Sequence, residues 1–531
     1  MERSNGARLF LVLTGLVVVL SGVTLAKGGL FIDRHEGDTL HLTEILLRMG
    51  QGQWPHLDFV TPLGFAGFLP MAGFIKAGFG VGTSILLAQI AVALALIPAT
   101  WWVARTRFTA PWDMAFGASV LVMVLAMVHG EASPNVSMSM HYNRWAWAAA
   151  FLAVPLAVLS SRGKTSALSD GLIIGGAMAF FVLGKITFGV ALAPGLFLAV
   201  ALRGAWVTVA VALGVVAAVM IGVTATLGMG FWAAYMGDLM QVKNSGIRPR
   251  AGVDVQTLLF APRFLVGNLV LLACIVLLRK GKHPDLGLVL VALAPGFLYI
   301  TYQNYGNDPK WLALLALLMI TVGCTLQARL LALVAAALIA PSFLNMAVSP
   351  LRHLMLDGSQ FAAVLPDAPH TDLHAPTSRM NRVHERHGIT FTDPQFLALN
   401  GTAEVNPDVM FQGVSHPACV QQLGLFGVLR DVGQDLRQFG LSGDAQIFTT
   451  DTFNAIWMFG GFTPLQGGAP WYYGDLAGFQ NTDYVLVPKC SIAPRAFKAI
   501  IEDINAIDGL TFRELRRTEL YTLYEKLPAS Q

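Results

Sequence analysis

LFLVLTGLVVVLSGVTLA (residues 9–26) is followed almost at once by FIDRHEGDTLHLTEILLRMGQGQWPHLDFVTPLG (residues 31–64), and the fold turns on these two stretches together. The first is uncharged and apolar throughout. At about 1.5 Å per helical residue it reaches nearly across the ~30 Å of hydrocarbon in a bilayer. Its apolar core is longer than the roughly 7–15 residues of a signal peptide, and no clean small-x-small site follows, so an uncleaved anchor is expected. The second stretch holds Asp33, Glu36, Asp38, Glu44 and Asp58, five of the 13 acids in residues 1–350. Its spacing predicts a helix starting near Asp38, with Asp38 a candidate N-cap. Leu42, Ile45, Leu46 and Met49 form one stripe; Asp38, His41, Glu44 and Arg48 lie opposite, on a face expected to be solvated; Gly50 and Gly52 stop the helix. Such a helix would lie along a membrane surface and hold Glu36 and Asp38 just outside it. A partly desolvated carboxylate at that level is suited to taking a proton from a hydroxyl.

Working outward, the same character recurs. The chain of 531 residues is 55% hydrophobic and only 13% charged, against roughly a quarter charged in soluble proteins; disorder is excluded by the same figures. Residues 1–350 carry 22 basic and 13 acidic residues, a net +9, whereas residues 351–531 carry 13 and 19, a net −6. That split predicts a membrane module, 1–349, followed by a soluble α/β domain, 350–531. Further apolar runs lie at 84–104, 114–129, 145–160, 205–228, 264–278 and 330–349. The run 170–202, interrupted by Lys185, fits two short crossings. Residues 62–80, apolar but rich in Gly and Pro, read as interfacial or re-entrant, which leaves about 11 spans. Arg3, Arg8, Arg105, Arg107, Arg162, Lys164, Arg203, Arg279, Lys280, Lys282 and Arg329 sit in short gaps and mark the cytoplasmic side. The remaining gaps, 31–61, 130–143, the turn near 185, 230–255 and 302–310, then face outward with the C-terminal domain.

In that domain, 445–450 and 484–488 read as strands, 425–440 and 494–506 as helices and 510–526 as a closing hairpin. Cys274 and Cys324 fall in spans; Cys419 and Cys490 fall in the outer domain and could pair if the compartment is oxidising. No metal-type Cys or His spacing, phosphate-cradling glycine motif or basic-aromatic stretch is present, so nucleic acid is not an expected partner.

An acidic pair after the first span, an amphipathic helix ending in Gly, and Asp58-Phe59-x-x-Pro62 together resemble the first outer loop of the GT-C glycosyltransferases, notably lipid A aminoarabinose transferases and protein O-mannosyltransferases. The resemblance covers about 35 residues in detail and the layout loosely. It implies a GT-C-like fold and transfer of a sugar, with inversion, from a polyprenyl-phosphate donor to a hydroxyl of a lipid, glycan or protein. By position it implies Glu36 as first choice of base and Asp38 as second, with His35 standing where the first acid of the family's pair is usual. It also implies a binding role for Asp58. Where aminoarabinose transferases carry a phosphate-contacting Lys, this chain has Thr61, so another cation is needed. Lys185 resembles the family's hairpin Lys. Arg144 could clamp a phosphate through parallel N–H donors, Lys310 is a further cation, and Asn304 could hydrogen-bond a sugar. Glu36, Asp38 and Asp58 could ligate a hard divalent cation; related enzymes differ in needing one. The expected setting is a bacterial inner membrane. Competing readings are a transporter or flippase, which would carry ionisable groups at the midplane and repeated halves, and a surface-polysaccharide polymerase or ligase.

Overall fold

A computed structural model describes residues 2–163, 166–247, 254–304, 307–323, 325–381, 409–416 and 424–527. Lys164, Cys324 and Cys419 lie outside these residues. The apolar half is built from α1 (Glu2–Leu25), α2 (Glu36–Gly50), α3 (Leu69–Lys76), α4 (Val81–Arg107), α5 (Trp112–Leu125), α6 (His141–Val158), α7 (Ala167–Gly184), α8 (Ile186–Leu202), α9 (Trp206–Leu227), α10 (Gly230–Asn244), α11 (Val255–Phe260), α12 (Pro262–Lys280), α13 (Pro284–Gln303), α14 (Trp311–Val322) and α15 (Leu326–Met355). Seven of these (α1, α4, α7, α9, α12, α13 and α15) are long and apolar enough to cross a membrane, and α5, α8 and α14 are shorter apolar helices. α6 is buried over most of its length inside the bundle. The chain is an integral membrane protein, and each expected apolar run carries a helix over most of its length, although that of 114–129 ends at Leu125.

Residues 62–80 contain one 3₁₀ turn, Phe65–Gly67, and the eight-residue α3. At about 12 Å, α3 is too short to cross. The run 170–202 breaks at Lys185, whose extended backbone separates α7 from α8. Close helix packing relies on small residues: a Cβ on Gly171 or Gly175 of α7 would strike Val211, Ala212 or Val215 of α9, the small-xxx-small geometry of membrane interfaces. The opposite side of α9 leaves Val207, Leu213 and Ile221 exposed, as a lipid-facing surface requires.

The bundle has two unlike ends. At one, Arg107 pairs with Asp170, which also accepts from Nε1 of Trp102; Arg203 donates to the carbonyls of Leu156 and Ala157; and the backbone N–H of Arg162 donates to Thr106. These are the basic residues whose grouping on one side the sequence predicts. At the other end lie the first loop, residues 126–140, Asn304, residues 307–310 and the C-terminal part.

α15 continues past residue 349 to Met355. The chain beyond it is not separate from the first loop. β1 (Leu30–Phe31) pairs in parallel with β3 (Leu373–Pro376), and β2 (Phe361–Ala363) pairs antiparallel with β3. A short α16 (Thr377–Asn381) and the hairpin β4 (Val409–Phe411) and β5 (Val414–His416) follow. The principal sheet has the order β6–β7–β9–β8, from β6 (Ile447–Thr449), β7 (Tyr484–Pro488), β8 (Thr511–Arg517) and β9 (Tyr521–Leu527). β6 and β7 are parallel and the rest antiparallel. Around it stand α17 (Leu425–Phe439), α18 (Ile456–Gly460) and α19 (Pro494–Asn505). α19 buries Phe497, Ile500, Ile501 and Ile504 in one core with Phe448, Val485 and Val487 of the sheet. Cys490 is disulfide-bonded.

Candidate active site

α2 begins at Glu36, two residues before the expected start. Its N-cap is His35, held at φ 63°, and no side chain caps it. Asp38 therefore lies inside the first turn rather than at the cap. Both Glu36 and Asp38 stand at the positive end of the helix dipole, where a carboxylate is favoured. Gly37 between them lies under Phe453 of the C-terminal part, and a Cβ there would come within 3.0 Å of the ring.

The two acids have different partners. Glu36 pairs with Arg379 at 3.0 Å, and Arg379 also donates to the carbonyl of Asp33 at 2.9 Å. Asp38 accepts from Oγ of Ser139 at 2.9 Å through Oδ2. Burial raises both carboxyls above their ordinary values, opposed by Arg379 at Glu36 and by the Ser139 hydroxyl at Asp38.

Ser139 belongs to an irregular stretch, 126–140, between α5 and α6. Backbone without regular structure at the end of an apolar bundle needs its polar groups met from within the protein. Several buried side chains meet them. Arg144 donates to the carbonyls of Ala126 at 2.8 Å, Ser139 at 3.4 Å and Val128. Lys310 donates to Gly130. Asn345 donates to Glu131 and Ser133, both at 2.7 Å, and Ser349 accepts from the N–H of Met127 at 2.9 Å. Gly130 has φ +127° and packs against Asn307 and the Lys310 ammonium, a backbone that excludes other residues. The stretch so held presents Ser137, Ser139 and His129 to the first loop. Nδ1 of His35 lies 3.0 Å from Oγ of Ser137, and the His35 and His129 rings face each other at 4.6 Å. Burial lowers His35 to about 4 and His129 to about 3, with Arg34 contributing at both. Both rings are neutral at ordinary pH.

Other expected residues fall as follows. Arg144, expected as a phosphate clamp, lies at the start of α6 with its terminal nitrogens donating to the carbonyls of Ala126, Val128 and Ser139. Lys310 is buried beside Gly130, and its charge acts on His129 together with that of Arg144. Asn304 is buried just past α13 and accepts from the N–H of Asn307 at 3.2 Å through its carbonyl. Lys185 sits with its ammonium 5.1 Å from the Tyr142 ring centroid. Asp58 is exposed; its carboxylate receives the N–H of Trp54 at 2.6 Å and closes a local turn. A carboxylate triad with Glu36 and Asp38 is not formed: among the described residues, no three His, Cys, Asp or Glu side chains converge to hold a metal.

The face of α2 expected to be solvated is buried. Glu44 and Arg48 pair at 3.1 Å with neither side chain exposed. Oε1 of Glu44 also accepts from Nε1 of Trp457 at 3.2 Å, and Arg48 donates to the carbonyl of Leu465 at 3.1 Å. The C-terminal domain thus lies directly on the helix. Nearby, Asp238 of α10 receives the N–H of Thr61 at 3.0 Å and contacts Nδ1 of His56 at 2.7 Å, fixing the end of the loop. Sequence reasoning did not assign Ser137, Ser139, Asp238 or Arg379. His129, at the end of the apolar run 114–129, was given no role either; a signal for the serines was the polar run SPNVSMSMH (133–141) between two apolar segments.

No protein-family model matches the chain, and no curated protein matches it. Among solved structures, the chain is similar to ArnT from Cupriavidus metallidurans bound to undecaprenyl phosphate, with 10% identity, 97% of each chain covered and a TM-score of 0.42. It is also similar to the same protein in the apo state, with 12% identity, 99% of this chain and 98% of that chain covered and a TM-score of 0.34.

Proposed function

We propose that this protein is a membrane glycosyltransferase that moves a sugar from a polyprenyl-phosphate carrier to a hydroxyl acceptor at the outer face of a bacterial inner membrane. The observation that carries the reading is the setting of Asp38: a carboxylate in a helix first turn, at the end of an apolar bundle, gripped through one oxygen by Ser139. Its other oxygen takes no hydrogen bond from any described residue. The geometry favours Asp38 as base over Glu36, whose charge is engaged by Arg379.

In the proposed step, the acceptor oxygen attacks the anomeric carbon as its proton passes to Oδ1 of Asp38. The bond from that carbon to the carrier's phosphate oxygen breaks, and the polyprenyl phosphate leaves with the electron pair. Inversion follows from attack opposite the leaving group. A base so placed contributes on the order of 10²–10⁴ in rate, and a fixed cation stabilises the departing phosphate. We assign Lys185 to the phosphate side and Asn304 to the sugar; Lys310, whose ammonium is held by the Gly130 carbonyl, acts on the site through its charge. Asp58 holds the loop rather than the substrate. The acceptor remains a lipid, glycan or protein hydroxyl.

The test is comparative mass spectrometry of envelope lipids and glycans from a strain lacking the gene and from the same strain complemented. Loss of one glycosyl group on deletion and its return on complementation are expected. Unchanged glycans together with a defect in uptake or export of a solute would establish the transporter reading instead.

A further inference from the structure

Nδ1 of His129 lies 2.9 Å from Oγ of Ser139, and that same Oγ donates to Asp38 at 2.9 Å. A serine hydroxyl has one hydrogen. Spent on the carboxylate, it leaves only lone pairs toward His129, so Nδ1 must carry the imidazole proton. We propose that His129 and Ser139 are positioning residues for the base: the neutral Nδ1–H of His129 fixes the Ser139 hydroxyl, and the hydroxyl fixes the Asp38 carboxylate with Oδ1 turned to the acceptor. The proposal rests on Asp38 being the base.

Three observations support it. The ring is held as a neutral donor, because burial, His35 and the cations Arg144, Lys310 and Arg34 all oppose its protonation. The backbone of Ser139 is itself fixed, its N–H donating to Oγ of Ser137 at 3.1 Å and its carbonyl accepting from Arg144. The stretch carrying both residues is anchored from α6, α15 and Lys310, so the chain of bonds ends on a rigid support. The charged and titratable groups acting on His129 are His35 and Arg34 on the first loop, Arg144 on α6 and Lys310 before α14; on Asp38 the Ser139 hydroxyl opposes burial. A hydrogen bond to an ionised carboxylate lowers its pKa, so losing the Ser139 hydroxyl should raise that of Asp38.

The experiment uses membrane vesicles from the producing strain. Their own polyprenyl-linked sugars, labelled by growth on radioactive glucose, serve as the donor pool, and label transfer is followed from pH 4 to 9. Ser139→Ala should lower the rate on the order of 10–100-fold and move the acid limb of the profile up by about one pH unit. His129→Phe should do the same. Ser139→Thr and His129→Asn, which keep a hydroxyl and an N–H near the original positions, should recover most of the rate and the original limb. An inactive Asp38→Asn beside a Ser139→Ala of normal rate and unshifted profile would overturn the positioning role alone. A fully active Asp38→Asn would overturn the base assignment and this inference with it. Equal loss in Ser139→Ala and Ser139→Thr, with lowered melting temperatures in both, would show packing rather than hydrogen bonding and so contradict it.

Discussion

The two ends of α2 carry the same kind of side chain in opposite circumstances. At the start, Asp38 and Glu36 each have one polar partner, and both are only partly buried. Near the finish, Glu44 is fully buried, with Arg48 and Trp457 converging on one oxygen. Burial raises the carboxyl in each case, but Glu44 is shut in by its partners, whereas Asp38 is held through one oxygen by Ser139, as the proposed base requires. The difference teaches that an acid on this helix is chemical or structural according to what covers it. The covering over Glu44 and Arg48 comes from the C-terminal part of the chain, through Trp457 and Leu465, so on the proposed reading that part helps to build the site.

That comparison can be broken in order of expected effect. Asp38→Asn should cut transfer by about 10²–10⁴ while leaving the melting temperature close to the parent's, as read by label transfer and a thermal melt in detergent. Arg48→Met should do the reverse in kind. Stranding the Glu44 carboxylate in a closed interface costs on the order of 3–5 kcal/mol, seen as a large fall in melting temperature. The double change Glu44→Gln with Arg48→Met should recover much of that loss. If Arg48→Met melts normally, the two ends are not different in the way described.

A finer distinction comes from pH. The proposed base must be ionised to act, and burial raises the Asp38 carboxyl, so transfer should decline as pH falls through a value above that of an ordinary aspartate. The Glu44→Gln variant should keep the same acid limb, since that group does not meet substrate. The smallest effect is expected at Arg379→Ala. Its pair with Glu36 is partly exposed and should contribute less than about 1 kcal/mol to stability, measured as a shift of a few degrees at most.

Much of this architecture is legible in the amino-acid order. Apolar runs of crossing length need no partner to declare themselves, and the Lys185 break and the strands at 447–449 and 484–488 follow from local pattern. The misread face of α2 shows the limit. Glu44 and Arg48 stand opposite an apolar stripe, which ordinarily means water; here Trp457, 413 positions later, covers them. Arg144 is similar. A guanidinium at the start of a helix suggests an anion, but the irregular stretch before it supplies carbonyls that claim it first. Ser139 and Arg379 are unremarkable in sequence and gain meaning only when the fold sets them beside Asp38 and Glu36. The α2 start was misplaced because Asp38 is a good cap by type, whereas the chain caps with His35 in a left-handed conformation.

The most direct measurement compares Asp38→Asn with Glu44→Gln in the same vesicle transfer assay, each protein quantified in the membrane. The account predicts that Asp38→Asn loses at least about 99% of transfer, whereas Glu44→Gln keeps its activity to the extent that it remains folded. Full transfer by Asp38→Asn, with the protein present at parental level, would contradict it.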